Sequence, residues 1–436
     1  MRRTMMRAPL ALAAVFLSPV AAAADAEDWA IHGQFTYVEQ STSDFNAPYQ
    51  GRNSLTPNKG EETTDATLYL GLKLWRGAEA WINGEIDQGF GLDDTLGVAG
   101  FPSGEAYKVG DNQPYYRLPR AFIRQTVNLG GAELPVEPQA NWLAGAQSAD
   151  RVVIWLGKFG VVDVFDTNQY AHDPRADFLN WGAIDAGSFD YAADAWGYTV
   201  GAAVEWYQGA WTYRAGVFDL SNVPNSVHLE PGLHEFQTDL ELEHRHEIAG
   251  RAGRLLLTVF DSRGRMGLLA EAVQAAETSG TPVDIAAVRA YRTRIGASLG
   301  LEQQISTDLG AFARVGKAGG NVETYEFTDI DRSVAAGLSL QGARWHRSDD
   351  TVGLAAMNNG ISAARQAYLN AGGLGILVGD GRLPHPGPEQ IMETYYSAAL
   401  FRVAHLTFDY QYINHPAYNR DRGPVSMIAV RLHVQF

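Results

Sequence analysis

The chain has no cysteine among its 436 residues. Disulfide staples and thiolate chemistry are therefore excluded, and the stability of an exported chain must come from elsewhere. Past the N-terminus, no stretch approaches the ~18 consecutive apolar residues of a helical membrane span. Basic residues are few: 34 Lys and Arg stand against 50 Asp and Glu, a formal charge of −16. That balance argues against nucleic acid as a partner. Catalytic signatures are missing as well. There is no His-Glu-x-x-His and no Gly-rich phosphate loop leading into a helix. The sequence therefore predicts neither an enzyme nor a cofactor. His244 and His246 have the i, i+2 spacing of a strand metal site, but Arg245 between them and the polar strand favour a rim or lumen position.

What is present begins with an export signal. Arg2, Arg3 and Arg7 form a basic head, Ala8 to Val20 is apolar, and small residues end at Ala24. Residues 1–24 are expected to be a signal peptide cleaved near Ala24–Asp25. Cleavage removes three arginines and moves the formal charge from −16 to about −19. No linker or composition break divides residues 25–436, which are expected to form a single domain.

Across that domain apolar and polar residues alternate with the period of a β-strand. In 66–75 the leucines at 68, 70, 72 and 74 oppose Thr67, Tyr69 and Lys73. In the last strand Ile428, Val430, Leu432, Val434 and Phe436 share one face, with Arg431, His433 and Gln435 on the other. About sixteen such runs occur, each long enough to cross a bilayer when tilted. Their connections alternate between short turns and long loops. The fold class predicted is all-β, a transmembrane antiparallel β-barrel of about sixteen strands, with short periplasmic turns and long external loops. The stretch from Gly130 to Asp150 is too long for a periplasmic turn and reads as an insertion or a miscounted strand pair. Met266–Thr278 and Ile361–Ala371 read as helices within long loops.

A barrel of this size encloses an aqueous channel unless loops fill it. The alternation places Glu85, Asp87, Asp239, Glu241, Glu243 and Glu393 on the lumen face, with Lys73, Arg120, Arg124, Arg292, Arg294, Arg314, Arg431 and His433 as basic counterparts. Acidic and basic groups fall on separate strands. Apposed rows of opposite charge would set up a transverse field that favours hydroxyl dipoles over bare ions. Trp81, Trp155, Trp181, Tyr107, Tyr170 and Tyr395 are candidate stacking surfaces for the apolar face of a sugar ring. The loops Gln88–Leu118 and Gly160–Trp196 mix apolar with acidic residues, a pattern suited to folding inward and narrowing the channel.

Four segments carry a family resemblance: FGLDDTLGVAGFPSGEAYKVG, LPRAFIRQTVNLGG, GKFGVVDVFDTNQYAHDPRADFLNW and the C-terminal ETYY…LTFDYQYINHPAYNR…VRLHVQF. Together they resemble the carbohydrate-selective porins (OprB type) of Gram-negative outer membranes. The resemblance implies a sixteen-stranded, monomeric diffusion channel for glucose and other small sugars, with an eyelet of arginines, acidic groups and aromatic rings. The expected surroundings are sugars in the lumen, outer-membrane lipid around the wall, and the assembly machinery, reached through Phe436. A general or anion-preferring porin is the alternative.

Overall fold

The structure is a computed structural model that describes residues 26–436; the expected signal peptide lies outside the described residues. Sixteen antiparallel strands close into one barrel. The first eight are β1 (Trp29–Thr42), β2 (Gly60–Trp75), β3 (Ala78–Gly89), β4 (Asp111–Val136), β5 (Gly145–Phe159), β6 (Thr199–Gln208), β7 (Trp211–Asp219) and β8 (Phe236–Ile248). The others are β9 (Arg251–Gly267), β10 (Arg289–Gln304), β11 (Leu309–Ala318), β12 (Arg332–Gly342), β13 (Arg347–Gly360), β14 (Glu389–Phe401), β15 (Ala404–Asn414) and β16 (Val425–Gln435). Each of the sixteen predicted runs coincides with one of these strands.

The dyad pattern is realised as two faces. Leu68, Leu70, Leu72, Ile82 and Ile86 point outward and are exposed, whereas Thr67, Tyr69, Trp81, Asn83, Glu85 and Asp87 point inward and are buried. Such an outer face is stable only against hydrocarbon. Exposed rings flank it at both ends: Trp75, Trp206, Trp211 and Phe401 near the short turns, Tyr116 and Tyr291 near the long loops. These are the aromatic girdles of a membrane barrel, one at each interface. His244 lies in the first girdle, its ring 4.3 Å from that of Trp211.

β16 pairs with β1, Phe35 opposite Val434 and Val38 opposite Arg431, so no strand edge remains. Phe436 packs over Gly33, where a Cβ would strike its ring.

The Gly130–Asp150 segment corrects the sequence reading. It is neither an insertion nor an extra strand pair. β4 and β5 simply continue past the wall as a hairpin, Leu134 opposite Gln147 and Val136 opposite Gly145. Register shifts around Gly130 interrupt the alternation there, which hid the ladder from a period-two reading. The loop helices are α1 (Trp181–Ile184), α2 (Leu269–Ser279) and α3 (Ala363–Asn370). The latter two fall where the sequence predicted them.

Candidate functional site: the inner wall and its loops

β3 and β4 build one side of the lumen. Arg117 donates to Asp87 and, at 2.6 Å, to Glu85. Its guanidinium lies 4.5 Å from the Tyr107 ring centroid and 5.5 Å from that of Trp196. Arg120 makes a bidentate pair with Asp163 at 2.7 and 2.6 Å and covers the Tyr198 ring at 4.9 Å. Arg175, from the loop between β5 and β6, reaches Glu105 at 3.1 Å and Asp65 at 3.4 Å. Three arginines, five carboxylates and several rings thus meet where loops 90–110 and 160–198 approach the wall.

Two of these arginines share the lumen because of a bulge. Asn83 faces Arg120, but Glu85 faces Arg117, so three steps along β4 match two along β3. Pro119 sits in the shift and has no N–H for the ladder, which suits it to a bulge. Strict alternation would turn Arg117 away from Arg120. Arg117 and Arg175 were missed from sequence for that reason: the first lies beyond the bulge and the second on a loop with no period. The Pro between Arg117 and Arg120 was the one available signal for the first.

The acidic and basic rows also stand differently from the sequence expectation. Glu85 and Asp87 on β3 adjoin Arg117 on β4 and neutralise it directly; these rows are neighbours, not apposed across the lumen. Below them along β3, Asn83 is fully buried, and neither polar atom of its amide has a hydrogen-bond partner among the described residues. Trp81 follows, lying flat over Gly71, where any Cβ would meet the ring. Its Nε1–H donates to Glu79 at 2.9 Å.

Other predicted residues serve the loops. Arg314 donates to the Ala183 carbonyl at 2.6 Å and to that of Asp166 at 3.2 Å. Glu393 accepts from the Leu179 and Asn180 amides. Arg431 donates to the carbonyls of Pro174 and Asp177. Arg294 is fully buried against Asp190, 2.8 Å away. On β8 Glu241 accepts from the Asp166 amide, and on β10 Glu302 accepts from the Gln169 amide. One loop, 160–198, is thus bonded to inner-face side chains of strands all round the barrel. Its neighbour, 90–110, is tied to Glu389 by the amides of Ala99 and Gly100. Lys108 in that loop donates to the Glu326 carbonyl at 2.6 Å, and burial brings its ammonium down to about 8.

Three predicted positions are corrected. Lys73 is at the short-turn rim, exposed and paired with Asp28 at 2.6 Å, because the neighbouring β1 begins at Trp29, opposite Leu72, and does not flank it. Arg292 stands at the opposite end of its strand and is taken up by Glu271 of α2 at 2.6 Å. Trp181 is no open platform: its ring stacks on Phe101 at 5.0 Å and is flanked by Tyr191 and Phe327.

A closed sixteen-stranded barrel with an apolar belt, two aromatic girdles and a charged inner wall is an outer-membrane porin. The structure of Pseudomonas putida OprB is similar to it, with a TM-score of 0.70 and 15% identity over 94% of each chain. The outer membrane channel DcaP of Acinetobacter baumannii is more distant, at 0.50 and 11% over 94% of this chain and 97% of that one. These likenesses show the fold. No sequence among curated proteins matches. Residues 52–436 match the carbohydrate-selective porin, OprB family, and the chain belongs to that family.

Proposed function

We propose that the chain is a passive channel for neutral carbohydrates, glucose and other small sugars among them, and performs no chemistry on them. The observation that carries this reading is the Arg117–Arg120–Arg175 cluster. Its guanidiniums are matched by Glu85, Asp87, Asp163, Glu105 and Asp65 and overlie Tyr107 and Tyr198. Paired donors and acceptors offer a hydroxyl many hydrogen bonds, and with five carboxylates to three guanidiniums no excess positive charge is left to hold an anion. The rings suit the apolar face of a pyranose. In this reading loops 90–110 and 160–198 lie within the lumen and narrow it beside the cluster, and Arg314, Glu393 and Arg431 hold the second loop in place. The solute exchanges part of its hydration for transient bonds weak enough to release it. The chain works as a monomer, with its apolar belt in outer-membrane lipid and Phe436 read by the assembly machinery.

Swelling of proteoliposomes in glucose, compared with a size-matched organic anion, tests this reading. Faster entry of the sugar is expected. Equal rates would remove the selectivity, and faster anion entry would make the chain an anion-preferring porin.

A further inference from the structure

The β4–β5 hairpin projects from the short-turn end, yet its tip is not free. Residues 129–133 are exposed, whereas Trp142, Leu143 and Ala144 are buried. The tip has turned back onto the inner wall. Arg124 donates to the Asn141 carbonyl at 2.6 Å, and its guanidinium lies 3.3 Å from the Trp142 ring centroid and 4.6 Å from that of Trp155. Trp142 also meets Trp155 edge to face. The Leu143 amide donates to Glu79, whose carboxylate is held by Arg124 at 2.5 Å as well. From the N-terminal side, Glu27 exchanges two hydrogen bonds with Ala144. Every wall residue in this set belongs to the inward-facing rows of β3, β4 and β5.

A tip held only by its own turn would be solvated; this one is clamped by a buried ion pair, two indoles and the N-terminal segment. An ordinary periplasmic turn needs two to five residues. The extra length serves to bring Trp142 back into the barrel mouth.

We propose that the hairpin tip is a second constriction, at the periplasmic end of the pore, with Trp142 setting its width and the Arg124–Glu79 pair holding it there. It rests on the channel reading above, and deepens it: selection occurs at two places joined by the inner face of β3, running from Asp87 and Glu85 past Asn83 and Trp81 to Glu79. The exit discriminates by length, because a solute must leave between Trp142 and the opposite wall.

Planar-bilayer conductance in KCl and proteoliposome swelling with glucose and raffinose test the proposal on two variants. One replaces residues 130–149 by Asn-Gly, joining β4 and β5 at the wall; the other is Trp142→Ala, which leaves the hairpin in place. Removing a narrowing in series should raise conductance about two-fold or more in the first variant and less in the second. Raffinose entry should gain more than glucose entry in both. Unchanged conductance together with an unchanged raffinose-to-glucose ratio in Trp142→Ala overturns the proposal, even where the trimmed chain fails to assemble. Conductance in KCl needs no sugar, so a chain that proved unselective for carbohydrates would still report on the exit.

Discussion

The two sides of the lumen use the same residue types for different ends. On β3 and β4, Arg117 and Arg120 meet carboxylates and the faces of Tyr107 and Tyr198. On β11, β14 and β16, Arg314, Glu393 and Arg431 are committed to backbone carbonyls and amides of the 160–198 loop. A charge on the inner face of a porin is therefore not in itself a solute contact. What separates the two groups is the partner: a side-chain pair beside an aromatic face can yield to a passing hydroxyl, whereas a backbone staple cannot let go without moving the loop.

The sharpest way to break this contrast is to cut a staple. Arg314→Ala removes the donor from two carbonyls and from the Asp166 carboxylate, 3.4 Å away. Breaking a buried charge pair in this way costs about 3–5 kcal/mol. Thermal unfolding, read as the heat-dependent shift in gel mobility, should move to lower temperature while conductance rises and becomes noisier. If both stay at their wild-type values, the staple reading of this wall fails.

On the opposite wall, Arg117→Ala should leave the barrel assembled and weaken sugar binding about ten-fold, the worth of one hydrogen bond to a charged group. The concentration dependence of sugar-induced current noise measures this. It should be accompanied by a shift toward cations, since Glu85 and Asp87 lose their counter-charge. Sugar noise identical to wild type would take Arg117 out of the pathway.

The smallest effect concerns Lys108. Burial lowers its ammonium from 10.5 to about 8, so it is charged below that pH and neutral above it. Between pH 8 and 10.5 the unfolded chain holds this proton more tightly than the folded one, so stability rises with pH across that window. Raising the pH from 7 to 9 should also move the reversal potential toward cation preference, and Lys108→Met should abolish that step. A full-sized step in the variant would assign the titration elsewhere.

How much of this was visible in the sequence depends on what encodes each part. The wall was legible because dyad alternation is local: Leu68, Leu70 and Leu72 announce an outer face without reference to any other strand. Three features were hidden, each where the period fails. The bulge at Pro119 reverses the phase between Arg117 and Arg120. The shifts at Gly130 disguised a hairpin as an insertion. Arg175 lies on a loop, where position is set by side chains from other strands and not by spacing. Lys73 failed in the opposite sense, with the right parity but past the end of its β1 neighbour. Parity tells which way a side chain points, not whether anything is there to enclose it.

The β1–β16 seam has a consequence of its own. Every other pairing joins strands adjacent in sequence, while the seam brings Gln34 beside Gln435. Fifteen pairings can zip from local nuclei; the sixteenth must pay the entropy of a loop of about 400 residues unless the curving sheet has already brought its ends together. Until it forms, two open edges flank a sheet with no inside. Lumen, constrictions and selectivity therefore come into being together, in the last step of assembly.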